Sequence, residues 1–148
     1  MRISKQVIVI RADLRNSKGN KIRTGKLIAQ GAHASMKVIL DSMDIQGNFK
    51  YISSNGQKGE ATGYLKMEAG SALNDWITGR FTKVCVSVDS EEELLDVYAK
   101  AKDAGLICAL ITDAGLTEFN GVPTKTCCAI GPAWSDEIDA VTGNLKLL

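Results

Sequence analysis

Residues 5–40, KQVIVIRADLRNSKGNKIRTGKLIAQGAHASMKVIL, carry the pattern that decides the fold. Val7 to Ile10 is an unbroken β-branched run, the form of a strand covered on both faces at the centre of a parallel or mixed sheet. Arg15 to Thr24 is polar and rich in Lys, Asn and Gly, which predicts an exposed loop. From about Gly25 to Met43, the spacing of Leu27, Ile28, Ala32, Ser35, Val38 and Ile39 predicts a helix with one broad, largely apolar face. A buried strand, an exposed loop and an amphipathic helix, in that order, open an α/β fold.

The rest of the chain extends the pattern. Residues 44–63 shift to Gly, Ser, Asn and Gln, as a surface insertion would. A second helix is expected from about Tyr64 to Ile77, with Gly79 as its stop. Thr82 to Val88 reads as a strand, and Ser90 and Glu93 have capping-box spacing before a helix that ends at Gly105. Leu106 to Thr112 and Thr124 to Ile130 read as further strands, Pro132 to Val141 as a short helix, and Leu145 to Leu148 as a tail on a sheet edge. The expectation is one α/β domain over 1–148, layered, with a small mixed β-sheet of about four strands flanked by helices and its first two strands parallel.

Composition narrows the function classes. Lys and Arg number 18 against 17 acids, so net charge does not mark a general nucleic-acid binder, and any RNA contact must come from local clustering. Arg11, Arg15, Lys18, Lys21, Arg23 and Lys26 form such a cluster around a single acid, Asp13; it also reads as a solvated basic loop. Three of the four cysteines, Cys85, Cys108, Cys127 and Cys128, stand in apolar runs and none is spaced as C-x-x-C, which fits reduced, buried thiols in a cytosol rather than a zinc or redox site. No apolar stretch has the length of a membrane span. The glycine patterns of dinucleotide and phosphate loops are absent, as is the G-x-S-x-G elbow of serine hydrolases.

Chemistry is expected where strand ends gather, because open α/β sheets bind ligands outside the carboxyl ends of their strands. This selects Asp13 after the first strand, Lys26 at the start of the following helix, Asp113 after the third strand and Gly131 after the fourth. On the helix, Lys26, Gln30, His33 and Lys37 fall within an arc of about 60°. The stripe is either the solvent side of the helix or one wall of a site. A lysine in the first turn opposes the helix dipole by about 0.3–1 kcal/mol, which a nearby carboxylate such as Asp113 would offset. Asp113-Ala114-Gly115-Leu116-Thr117-Glu118 places a carboxylate and a hydroxyl at a strand end with Gly115 in a tight turn, though an ordinary capped turn has the same composition.

Three blocks resemble, in order, the archaeal and eukaryotic type of peptidyl-tRNA hydrolases. Gly25 to Ala34 is similar to their G-K-x-x-A-Q-x-x-H-A signature, Asp113 to Glu118 to D-A-G-x-T-[EQ], and Thr124 to Pro132 to T-x-T-x-x-A-I-G-P. The resemblance implies a mixed sheet flanked by helices, a homodimer, and no metal or cofactor. It also implies Lys26, Asp113 and Thr117 as active-site residues, with His33 and Gln30 nearby. The expected activity is hydrolysis of the ester between peptide and tRNA in peptidyl-tRNA. Asp113 would activate water, directly or through His33, beside Lys26 and Thr117. Asp13, Arg15, Lys18, Lys21, Arg23, Gln30, Gly115 and Gly131 are expected to contact substrate. The alternative is a non-catalytic module on the same fold that binds a tRNA end or a protein.

Overall fold

The computed structural model describes residues 1–46 and 61–148. The β-branched run becomes β1 (Ser4–Arg11), the middle strand of a five-stranded sheet. On one side β1 pairs in parallel with β4 (Lys83–Val88); on the other it pairs antiparallel with β6 (Thr124–Trp134). Beyond β6 lies antiparallel β5 (Cys108–Asp113), and beyond β4 lies β7 (Lys146–Leu147), giving the order β5-β6-β1-β4-β7. The mixed sheet and its parallel pair are those expected. The tail takes the edge as a fifth strand.

Alternation along β1 divides the core into two layers. Val7 and Val9 face Leu94, Val97 and Ala101 of α3 (Glu91–Asp103) and Ile138 of α4 (Ser135–Thr142). Ile8 and Ile10 face Ala34 and Val38 of α1 (Thr24–Asp41). All four β1 side chains are buried, each burial favouring the fold by about 1.5–3 kcal/mol. A third, smaller cluster of Leu14, Ile22 and Phe119, with Leu27 against it, ties the loop before α1 to the loop after β5. That polar loop folds on itself: Arg15 bridges to Lys21, and Asn16 Oδ1 accepts from the N–H groups of Lys18 and Asn20.

Half of the capping box forms as the Ser90 and Glu93 spacing predicts, and the return bond has Asp89 N–H as its donor instead of Ser90 N–H. Ser90 Oγ accepts from Glu93 N at 3.0 Å while Glu93 Oε2 accepts from Asp89 N at 2.8 Å. The helix expected over 64–77 is shorter, because Gly70 takes φ +77° and Ser71 then caps a new start; only α2 (Ala72–Thr78) is helical, with Trp76 buried. β6 runs on through Pro132 to Trp134, so the last helix begins at Ser135. Most of the insertion expected at 44–63 lies outside the described residues; at its ends β2 (Asp44–Gln46) and β3 (Thr62–Tyr64) pair antiparallel.

The apolar face expected on α1 is only partly the buried one. Gln30, Gly31, Ala34 and Val38 are buried, whereas Ile28 is 68% exposed. The helix lies over β5, β6 and β1 and leaves its far flank beyond the sheet contact. Cys127 and Cys128 are buried as expected, and burial pushes the Cys127 thiol up to about 11. Cys85, by contrast, is exposed.

Candidate active site

β5 runs parallel to β1, so Asp113 at its end comes to the same sheet edge as Arg11 and Asp13. The N-terminus of α1 arrives at that edge after the polar loop, and Lys26 Nζ donates to Asp113 Oδ1 at 2.9 Å and to Thr117 Oγ1 at 3.0 Å. The ion pair is sheltered, with side-chain exposures of 15% for Lys26 and 14% for Asp113. No acidic residue stands in the first turn of α1, so Asp113 supplies the negative charge its positive end favours.

Gln30, on the stripe that reads from sequence as polar, is buried against the sheet. Its Nε2 donates to Asp113 Oδ1 at 3.1 Å, and its Oε1 accepts from Thr126 Oγ1 at 2.5 Å. The Asp113 carboxylate, which only accepts, sets which end of the Gln30 amide faces it, and the Thr126 hydroxyl donates to the other end. Thr126 was not among the candidates. It opens the apolar run that follows Lys125, and the signal that could have found it is its place as the second threonine of the T-x-T block.

Gly115 N donates to Asp113 Oδ2 at 2.9 Å, across a turn in which Gly115 takes φ +80°. Burial raises the Asp113 pKa, but the hydrogen bonds from Lys26, Gly115 N–H and Gln30 and the charge of Lys26 outweigh it, leaving the group below the usual carboxylate range. A carboxylate offers about four lone-pair sites. Three are filled here, and the fourth is on Oδ2. Lys26 has three N–H hydrogens and commits two, with the Phe119 ring 5.7 Å from Nζ. Among the described residues, one acceptor site on Asp113 and one cationic donor on Lys26 are therefore left over.

Other candidates are placed differently. His33 is exposed and makes no side-chain hydrogen bond among the described residues. Asp13 is held by Arg11 through two bonds of 3.0 and 2.7 Å, which with the nearby charge keep it below the usual range, so it braces the strand end. Arg15 Nη1 donates to the carbonyls of Ala12 and Leu14. Lys18 and Lys21 are exposed on the turn, while Arg23 donates through Nε to Glu118. Gly131 does not join the cluster. β6 runs opposite to β1, which puts Gly131 at the far edge, where its N–H donates to Ile107 O and its carbonyl accepts from Gln6 Nε2.

A sheltered lysine, carboxylate and hydroxyl thus meet at the strand ends, with one acceptor and one donor left without partners among the described residues. A family model described as peptidyl-tRNA hydrolase PTH2 matches residues 4–148. The peptidyl-tRNA hydrolases of Methanocaldococcus jannaschii and Methanopyrus kandleri are each 38% identical to this chain over 144 residues. The alignments cover 97% of this chain and 99% and 97% of those relatives. That of Methanothermobacter thermautotrophicus is 35% identical over 144 residues, covering 97% of this chain and 99% of the relative. The chain belongs to the peptidyl-tRNA hydrolase PTH2 family.

Proposed function

We propose that this protein hydrolyses the ester bond between peptide and tRNA in peptidyl-tRNA, and that the Lys26–Asp113–Thr117 cluster performs the reaction. The observation that carries the reading is that, among the described residues, Asp113 Oδ2 keeps an acceptor site and Lys26, which is bonded to the same carboxylate, keeps an N–H. A water donating to Oδ2 attacks the ester carbonyl and passes its proton to Asp113. The oxygen that becomes negative in the tetrahedral intermediate takes the remaining Lys26 hydrogen. Collapse breaks the bond to the ribose oxygen, which receives the proton from the Asp113 carboxyl and leaves as the tRNA hydroxyl. Thr117, accepting from Lys26, keeps its own hydrogen for the water or the ribose. The products are a peptide acid and free tRNA.

No metal or cofactor enters this scheme. Exposed Lys18 and Lys21 supply charge for the tRNA backbone, beside a hollow of about 280 Å³ lined by Arg11, Asp13, Arg15, Asn16, Phe119 and Thr124. A homodimer in the cytoplasm completes the reading. Exposed Ile28, Met36 and Leu40 on α1 offer apolar surface for a second copy, and among the described residues no helix is long and apolar enough to cross a membrane. A non-catalytic binding module has less support, since binding alone gives no reason to shelter a lysine–carboxylate pair with spare valences.

The direct test is release of labelled peptide from peptidyl-tRNA by the purified protein, with aminoacyl-tRNA as comparison. Cleavage of the first is expected, and failure to release peptide would sink the reading. The pH dependence separates Asp113 from His33. Because the Asp113 pKa lies below the ordinary range, its carboxylate stays ionised as pH falls through the weakly acidic region. The acid limb of kcat/KM is then expected below the ordinary carboxylate range, measured over the range in which the fold persists. A limb at higher pH that disappears in His33→Asn would transfer the base role to His33.

A further inference from the structure

Glu118 follows Thr117 in the catalytic loop, yet its side chain is only 7% exposed. Its Oε1 accepts from Arg23 Nε at 2.7 Å, while among the described residues its Oε2 has no hydrogen-bond partner. Arginine usually grips a carboxylate with two parallel N–H groups, which would satisfy both oxygens. Here Arg23 uses Nε alone, and its side chain is 80% exposed. The buried member is fixed: Phe119 next to it packs with Leu14 and Ile22, and Thr117 before it is tied to Lys26. The exposed member is thus the one that is aimed.

Arg23 is the cap residue of α1, three positions before Lys26, and makes no side-chain capping bond. Held by Nε, it keeps both terminal nitrogens free of protein partners among the described residues, next to the positive end of an 18-residue helix whose first turn holds no acid. We infer that Glu118 is a positioning residue that orients Arg23 as a fork for a phosphate of the tRNA acceptor end, beside the Lys26–Asp113–Thr117 cluster. Two N–H groups in one plane match a phosphate in a way that a lysine does not. The inference rests on the hydrolase reading above and adds where the strand carrying the ester is gripped.

The test compares wild type with Arg23→Ala, Arg23→Lys, Glu118→Ala, Glu118→Gln and the double variant Arg23→Ala/Glu118→Ala. KM and kcat on peptidyl-tRNA and Kd for deacylated tRNA are measured over a range of salt. Arg23→Ala and Glu118→Ala are each expected to raise KM and Kd by about three- to tenfold, and Arg23→Ala to flatten the log–log salt slope by about 0.7, one single-strand phosphate. The double variant should be no worse than the poorer single one, because Glu118 acts through Arg23. Glu118→Gln keeps an oxygen for Nε and should recover KM to within about twofold. Should Glu118→Ala fail to fold, Arg23→Lys at the exposed position decides: it keeps the charge but cannot both grip Glu118 and present a fork, so an unchanged KM overturns the inference. Additive losses in the double variant, or an effect of Glu118→Ala on kcat and melting temperature with KM and Kd unmoved, overturn it as well. If wild type binds deacylated tRNA with this coupling but releases no peptide, the hydrolase reading fails and the fork stands. Cleavage without the coupling removes the fork alone.

Discussion

Asp113→Asn is expected to lower kcat for peptidyl-tRNA by about 10²- to 10⁴-fold, the range associated with loss of a positioned base. The substitution preserves shape but not bonding. Lys26 and Gln30 donate to Oδ1 and Gly115 N–H donates to Oδ2, so an amide placed here sets its NH₂ against a donor whichever way it turns. The proton acceptor is lost, and the Gly115 turn loses its anchor. Lys26→Ala should cost less, about ten- to a hundredfold, because water activation survives while the charge near the oxyanion does not. Single-turnover peptide release measures both, and circular dichroism checks that each variant keeps its fold. Either variant within about threefold of wild type would remove the pair from the mechanism.

Gly115→Ala is expected to reduce activity by more than about tenfold and to lower the melting temperature. An alanine would have to hold φ +80°, which costs about 1–2 kcal/mol, and its Cβ would also meet the backbone carbonyl of Val122. The loop can relieve that collision only by moving, and movement takes Thr117 and Glu118 away from Lys26 and Arg23. Gly105→Ala is the matched comparison. Gly105 holds φ +74° with nothing within 4 Å of an added Cβ, and it lies after α3, away from the site. It should show the conformational cost alone, a few degrees in melting temperature for a chain of this size, without loss of turnover. Equal activity losses in the two variants would mean that the Gly115 turn does not hold the catalytic loop.

The order of strands and helices was legible because each signal is local. A β-branched run, a Ser and a Glu three apart, or a glycine after a periodic stretch reports its own conformation without reference to distant residues. Lys26 and Asp113 were legible because a helix start and a strand end are places that local signals can locate; Thr117 joined them through the family resemblance. What was not legible depends on partners far along the chain. A helical wheel groups Gln30 with His33, yet α1 turns Gln30 onto Thr126, 96 residues away, and leaves His33 exposed. Gly131 read as a strand-end residue on the active edge, but the direction of β6 is set by its pairing with β1. Ile28 looked like core, and only the seat of α1 on β5, β6 and β1 shows which apolar residues reach the sheet. Glu118 is buried beside Phe119, which packs with Leu14 and Ile22 from a loop about a hundred residues earlier, and no local signal marks that burial.

The position of β1 between β4 and β6 bears on how the molecule comes into being. While the chain emerges from the ribosome, β1 and α1 are made first, but β6, which forms the floor under α1 and carries Thr126, is among the last elements to appear. Closing β1 onto β6 joins residues as far apart as Ser4 and Trp134, a long loop that must be closed before its contacts reward it. Lys26 and Gln30 therefore wait for Asp113 and Thr126 to be synthesised, and no nascent fragment ending before β6 has a complete site. Peptide-release activity from truncated chains of increasing length should appear only once β6 is present and the tail can follow.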